Sequence, residues 1–304
     1  AALAMVRHGE TDFALAWADV STGETFTADL TAEQLGDELA RIGPAELLLT
    51  EATRAVLVER HLFSPAWAGI AHAAAPESFD SEAATASLRE AFPGGSFDPT
   101  ALSRAARSAL GAIVAYVRES QKGAGVALRP PVADSASRHM AIDQATRASL
   151  ELHQTQRGEQ RGALRQVIDL TVTAPGSRLL SARLAAPLAD AAAINERLDA
   201  VGLLANDTLL TGRLRADLKA VPDLARALTR LALDRGGPRD LAAIGKAVAA
   251  AAALSGHLTR LDHLPPVLAR LGYVLAQAPV ALASELALAL GDDLPLLSRD
   301  GGFV

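Results

Sequence analysis

The spacing of apolar residues changes once along this chain, and the change limits it to two unlike parts joined in series. From Leu3 to Leu30 the apolar positions come in short alternating runs, with Phe13, Leu15 and Trp17 on one face. Alternation is the pattern of a half-buried strand, because successive side chains point to opposite faces. Ser21-Thr22-Gly23-Glu24 then reads as a tight turn and Thr25 to Ala28 as the returning strand. From about residue 139 onward every segment reads as helix: Ile194, Leu198, Val201 and Leu204 recur at helical spacing. So do Leu210, Leu214, Leu218 and Val221, followed by Leu224, Leu228 and Leu231. Between the two regimes, Gln121 to Val132 carries Gly123-Ala124-Gly125 and then Arg129-Pro130-Pro131. Proline lacks the amide and fixes φ, so this run continues neither a helix nor a central strand. The domain boundary is placed there, giving residues 1–128 and 129–304.

In the first domain, Thr31 reads as a helix N-cap with Gln34 completing a capping box, and the helix runs to Arg41-Ile42 before Gly43-Pro44 stops it. Glu46 to Thr50 is a short buried strand and Arg54 to His61 a helix. Gly69 to Ala73 is a weak strand and Ser81 to Ala91 a helix. After the Phe92-Pro93-Gly94-Gly95 loop comes one longer helix, Pro99 to Glu119. Three strands followed by alternating helices and strands make an α/β layered domain, and the order is similar to the ribonuclease-H-like layout. In the second domain the breaks fall at Ala174-Pro175-Gly176, Val221-Pro222-Asp223, Gly236-Gly237-Pro238 and Leu264-Pro265-Pro266. No fixed solenoid period joins them, so the expectation is an irregular all-α domain.

Composition narrows the chemistry. Half of the 304 residues are hydrophobic yet only 4% are aromatic, so the core is built from Leu, Ala, Val and Ile. There are no cysteines, which removes disulfides and thiolate chemistry and is compatible with a cytoplasmic protein. No signal-peptide pattern opens the chain, and no stretch reaches the roughly 18 uncharged apolar residues of a membrane span. The net charge of −6 divides unevenly: residues 1–125 hold 9 Lys and Arg against 17 Asp and Glu. Neither part is a basic nucleic-acid surface, since neutralising phosphates needs clustered positive charge. The chain begins inside an apolar run and stops at Asp300-Gly301-Gly302-Phe303-Val304, so both ends are expected to be cuts through a longer protein.

The residues needed for familiar chemistry are out of pattern. A phosphate-binding loop needs Gly, four residues, then Gly-Lys-Ser or Thr, but Gly245-Lys246 has Asp240 in place of the first glycine and Ala247 in place of the hydroxyl. Gly123-Ala124-Gly125 lacks the third glycine of a dinucleotide site. The seven histidines include no metal-ligand spacing, and Gly95-Ser96 and Gly176-Ser177 lack the second glycine of a nucleophile elbow. One catalytic alternative exists on the first domain, a metal-dependent nuclease using Asp19, Glu46 and Asp98.

Several ordered motifs resemble one family. Asp143-Gln144-Ala145-Thr146 through Leu150-Glu151-Leu152 resembles the D-x-x-T-x-x-N-L-E-L opening of the MutS core domain. Val167-Ile168-Asp169, Thr171, Thr173, Gly176, Arg178-Leu179-Leu180 and Pro187-Leu188 are similar to its next run. Val221-Pro222-Asp223-Leu224-Ala225-Arg226 resembles its I-P-D-L-E-R element and Pro238-Arg239-Asp240-Leu241 its P-R-D-L element. Arg299-Asp300-Gly301-Gly302 resembles the start of the segment leading to the clamp. Ser149 stands where the family has Asn, Ala174-Pro175 where it has Pro-Met, and Arg183 where it often has Trp. Trp17 to Gly23 and Gly43 to Leu48 are similar to the family's connector.

The resemblance implies a ribonuclease-H-like connector without nuclease activity, followed by a helical core (lever) domain truncated before the clamp. It implies a non-catalytic fragment of a DNA mismatch-recognition protein, coupling ATPase and clamp and offering a connector surface to a MutL-type partner. ATP, Mg²⁺, mismatched DNA and a second subunit are expected only in the full-length parent, with no cofactor, metal or membrane for the fragment. The candidate coupling or structural residues are Asp169, Gly176, Arg178, Pro187, Asp223, Arg226, Arg239 and Asp240. The charged ones are expected to make interhelical or capping ion pairs.

Overall fold

The computed structural model describes residues 1–5, 12–93, 97–121, 127–134, 138–295 and 298–304. The chain divides into two compact units, Ala1–Arg161 and Gly162–Val304.

The first unit is a six-stranded mixed sheet with helices on both faces. Its strands are β1 (Ala2–Met5), β2 (Phe13–Asp19), β3 (Glu24–Leu30), β4 (Leu47–Leu49), β5 (Ala71–Ala73) and β6 (Val132–Ala133), in the order β5-β4-β1-β2-β3-β6. β1, β2 and β3 form an antiparallel meander, with Leu3 opposite Leu15 and Leu15 opposite Ala28. β4 and β5 continue the sheet in parallel on one side, and β6 lies parallel to β3 on the other. The helices are α1 (Ala32–Ile42), α2 (Glu51–Glu59), α3 (Ser81–Ala91), α4 (Arg104–Ser120) and α5 (Gln144–Ser149).

Strand alternation sorts side chains by size. Leu3, Phe13, Leu15, Leu47 and Leu49 point to the face covered by Leu35 and Leu39 of α1 and Leu57 of α2. The small Ala2, Ala4 and Ala16 point to the other face, where α4 brings Ala109, Leu110, Ile113, Val114 and Val117. Small residues on the sheet leave room for a bulky helix face, and α4 is itself pressed by α3. A Cβ added at Gly111 would lie 2.5 Å from the Cβ of Ala84.

Local chemistry sets the ends of these elements. Gly23, at φ +73°, closes the turn between β2 and β3, and Gly43, at φ +56°, ends α1, both in the left-handed region that glycine enters without strain. The Gln34 side chain accepts the Thr31 amide at 3.0 Å, as the capping-box spacing predicts. Two helices differ from expectation. The second begins at Glu51 rather than Arg54 because Thr50 Oγ1 accepts the Thr53 amide at 3.1 Å. The long helix expected from Pro99 is a short 3₁₀ turn, Pro99–Ala101, after which Ser103 starts α4 by accepting the Ala106 amide at 3.1 Å.

The second unit holds eight helices among its described residues: α6 (Leu164–Ile168), α7 (Ala174–Ala185), α8 (Ala191–Asn206), α9 (Thr208–Lys219), α10 (Leu224–Ala232), α11 (Pro238–Leu258), α12 (Pro266–Ala276) and α13 (Val280–Ala289). Each expected Pro or Gly break falls at a helix start. The segment from Leu150 to Ala163, expected to be helical, is instead turns and bends, with Glu151, Gly158 and Gly162 at positive φ. α11 is the hub, packing against α9, α10, α12 and α13. Its small residues allow close approach: Ser255 Oγ donates to the Gly272 carbonyl of α12 at 3.0 Å, and Ile244 and Val248 join Ala227 of α10 and Ala283 of α13 in one core. By length and composition α11 is the single helix, among the described residues, apolar enough to cross a membrane. An apolar run of this kind is also what a helix contacted by four others requires.

Substituting Gly111→Ala is expected to overpack the α3–α4 contact and destabilise the first unit by about 1–3 kcal/mol. Gly36→Ala, at an α1 position with nothing within 4 Å of the new Cβ, is expected to stabilise it by about 0.5–1 kcal/mol. A Gly111→Ala urea denaturation midpoint at or above that of the wild type would contradict the close contact.

Candidate functional site

Three of the six charged motif residues of the second unit, Arg178, Asp223 and Asp240, form ion pairs between helices. Asp223 is the N-cap of α10, and its carboxylate receives the Arg178 guanidinium of α7 in a two-pronged pair, Nη1 to Oδ2 at 2.7 Å and Nη2 to Oδ1 at 3.0 Å. A planar guanidinium matches a carboxylate in this way and fixes direction as well as distance. Arg226, one turn into α10, lies 3.6 Å from the same carboxylate. At the far end of α10, Arg230 Nε donates to Asp240 Oδ1 at 3.0 Å, and its Nη2 also bonds that oxygen. Asp240 accepts the Gly237 amide with its other oxygen at 3.1 Å, so one carboxylate both closes the start of α11 and holds α10.

The remaining candidates act more locally. Asp169, after α6, accepts Ser177 Oγ of α7 at 2.6 Å and Thr171 Oγ1 at 2.6 Å. Gly176 donates its amide to Thr173 Oγ1 at 3.0 Å, and a Cβ there would stand 2.8 Å from that hydroxyl. Pro187 follows the C-cap Ala186 of α7, where a proline ends the helix. Arg239 departs from the expected ion pair, since its Nε donates to the Leu294 carbonyl at 2.9 Å. Contacts outside the sequence-based set are also present. Among them are Arg230 with Asp240, Arg270 of α12 with Glu196 of α8 at 2.6 Å, and His257 of α11 with Asp217 of α9 at 2.8 Å. Of these, Arg230 carried a signal: it stands two helical turns beyond Asp223.

Charge and hydrogen bonding lower the acids. The Arg178 guanidinium holds the Asp223 carboxyl below its ordinary range, and Arg230 does the same for Asp240. The Ser177 and Thr171 hydroxyls lower Asp169. The side chains of Asp223 and Asp240 are 19% and 13% exposed, so these are half-buried pairs rather than fully solvated ones.

Elsewhere the structure offers no reactive cluster among the described residues. Asp19 accepts the Ser21 amide and hydroxyl at 2.8 and 2.7 Å, Glu46 accepts the Tyr116 hydroxyl at 2.6 Å, and Asp98 caps the 3₁₀ turn through Thr100 at 2.9 Å. No group of three His, Asp or Glu there could hold a metal ion, so the nuclease alternative is without support. Gly245-Lys246 lies inside α11 with Gly245 against Leu286, and a helix interior has no free amides to wrap a phosphate, so these residues do not fit a nucleotide. Gly123-Ala124-Gly125, Gly95-Ser96 and His8 lie outside the described residues.

Comparison with known proteins agrees with the motif order. The family model described as MutS domain II matches residues 1–129, and that described as MutS domain III matches residues 145–304. The chain belongs to the MutS family. It is 46% identical over 294 residues to the DNA mismatch repair protein MutS of Rhodopseudomonas palustris (strain BisB5), covering 95% of this chain and 31% of that protein. The MutS proteins of Azorhizobium caulinodans and Nitrobacter winogradskyi are 43% and 41% identical, over 97% and 100% of this chain and 32% and 34% of their own lengths. The chain thus spans about a third of the length of the MutS relatives it matches. All the ion-paired residues above fall within the part that matches MutS domain III.

Asp223 and Asp240 have folded values below the ordinary aspartate value of about 3.9. Their contribution is therefore complete above that value and is lost as pH falls through the lower folded value. The urea midpoint of the second unit is expected to drop below about pH 4, and less so in Asp223→Asn/Asp240→Asn. At neutral pH Asp240→Ala should cost about 1–2 kcal/mol, because the start of α11 loses its cap, whereas half-exposed Arg230→Ala should cost under about 1 kcal/mol. Equal losses for the two would show that the pair, not the cap, carries the stability.

Proposed function

We propose that the chain is a non-catalytic part of a DNA mismatch-recognition protein. The first unit is the connector, of ribonuclease-H-like fold, and offers a surface to a MutL-type partner. The second is the helical core, which couples the ATPase and DNA-clamp parts of the parent. Mismatched DNA, a second subunit, ATP and Mg²⁺ are taken up by the full-length protein.

The fold assignment is supported by the antiparallel β1–β3 meander, the parallel β4 and β5 beside β1, and helices on both faces of the sheet. One observation carries the coupling role: α10 is gripped by ion pairs at both ends. Asp223 at its start binds Arg178 of α7, and Arg230 near its end binds Asp240 of α11. At 1.5 Å per residue this helix is a strut of about 13 Å. A displacement of α7 along the strut moves α11 unless a half-buried pair breaks. Packed helices with two discrete arrangements pass motion in this way.

The isolated 304-residue chain is expected to hydrolyse no ATP, to cleave no nucleic acid with Mg²⁺ or Mn²⁺, and to bind duplex DNA weakly or not at all. Mismatch-selective binding by this chain would overturn the assignment. In a full-length protein containing these domains, Arg178→Met and Asp223→Ala should each reduce mismatch-dependent stimulation of ATP hydrolysis by about fivefold or more while basal hydrolysis stays unchanged. Undiminished stimulation in both variants would remove the strut from the coupling route.

A further inference from the structure

The compact first unit runs to Arg161, well past the proline-rich stretch where the apolar period changes. Residues 127–134 and 138–149 account for the difference. They add only the short edge strand β6 to the sheet, and they are fastened to the first unit at successive points. The Arg129 amide donates to the Gly23 carbonyl at 2.7 Å, and the Arg129 carbonyl accepts Thr25 Oγ1 at 2.5 Å. β6 then pairs with β3, and the Asp134 amide donates to the Thr27 carbonyl at 2.8 Å. The Gln144 amide donates to Asp37 of α1 at 3.1 Å.

The centre of this fastening is Arg41. Its side chain is only 15% exposed, lies 5.5 Å over the Trp17 ring and pairs with Glu38 of its own helix. Its Nη2 donates to Asp134 at 2.8 Å, and His139 Nε2 meets the other oxygen of Asp134 at 2.9 Å. A guanidinium held by an aromatic face on one side and a carboxylate in its own helix presents one fixed edge outward, and Asp134 occupies that edge.

Beyond α5 the character of the chain changes. Leu152 and Ala163 are buried, but from Gln154 to Gly162 every residue is exposed except half-buried Thr155. The hydrogen bonds of this run are short in range: Thr155 with Glu159 and Gly158, Gln156 with Glu151, Gly162 with Gln166. Gly158 and Gly162 adopt positive φ.

We propose that residues 127–134 and 138–149 form a strap latched to the first unit through Arg41 and Asp134, and that the free connection to the second unit is Gln154 to Gly162. With the strap closed, that connection is nine residues and spans at most about 30 Å. With it open, residues 127–134 and 138–149 join the tether, so the latch sets the length of free chain between the two units.

Limited trypsin digestion of the 304-residue chain, read by mass spectrometry, tests this. Cleavage after Arg157 and Arg161 is expected first, with cleavage after half-buried Arg147 slower by about tenfold, since cutting tracks local opening. Asp134→Ala leaves Arg41 its Glu38 partner and should speed cleavage after Arg147 several-fold, with cleavage after Arg54 in α2 unchanged. Wild-type cleavage after Arg147 as fast as after Arg157, or an Asp134→Ala rate equal to wild type, overturns the proposal. Should Arg54 also become labile in the variant, amide exchange on the wild-type chain decides. Slow Arg129 and Asp134 amides beside fast Gln156 and Gly158 amides support the strap, and equally fast ones overturn it.

Discussion

An aspartate at the first turn of a helix is the device on which the second unit depends. The opening amides of a helix have no partner inside it, and a carboxylate there satisfies them while meeting the positive end of the helix dipole. Asp190, Asp207 and Asp223 cap α8, α9 and α10 in this way, and Asp240 closes the first turn of α11. In two of them the same carboxylate also accepts an arginine from another helix. Cap and crosslink are thus one group, so the position of a helix start is tied to the position of its neighbour.

That arrangement explains why much of this architecture was legible in the sequence. Caps and stops are written in residues adjacent along the chain: Thr31 with Gln34, Gly43 before Pro44, Asp223 after Pro222. The alternation of Ala2, Leu3 and Ala4 beside Ala14, Leu15 and Ala16 carries the two-faced sheet, because the side-chain period of a strand sorts residues without reference to anything distant. The motif residues of the second unit were legible as charged helix-end positions for the same reason. Which arginine meets which aspartate was not, since Arg178 and Asp223 are 45 positions apart and only packing brings them together.

What escaped the sequence was structure lent by neighbours. β6 is two exposed residues after a Pro-Pro pair and is a strand only because the free edge of β3 accepts it, an edge being where a proline-flanked segment is tolerated. In the run from Leu150 to Ala163, Gly158 and Gly162 turn the chain, and the side chains of Glu151 and Thr155 accept backbone amides in competition with helix formation. His257 and Asp217 gave no signal either, since neither stands at a cap nor in a recurring motif.

The two units solve the same problem by different means, and the difference bears on how each can move. In the first, α4 lies so close against Ala2, Ala4 and Ala16 on one side and α3 on the other that displacing it opens a void or forces a clash. Such a body responds as a block. In the second, α10 touches α11 and α13 through a small apolar core, Ala227 with Ile244, Val248 and Ala283, and is also tied at both ends by ion pairs. Half-exposed ion pairs of this kind each contribute little stability, and Asp223 is shared between Arg178 and Arg226, the latter at 3.6 Å. A unit held this way is tied along its struts and less constrained across them, which is the property the proposed coupling role calls for.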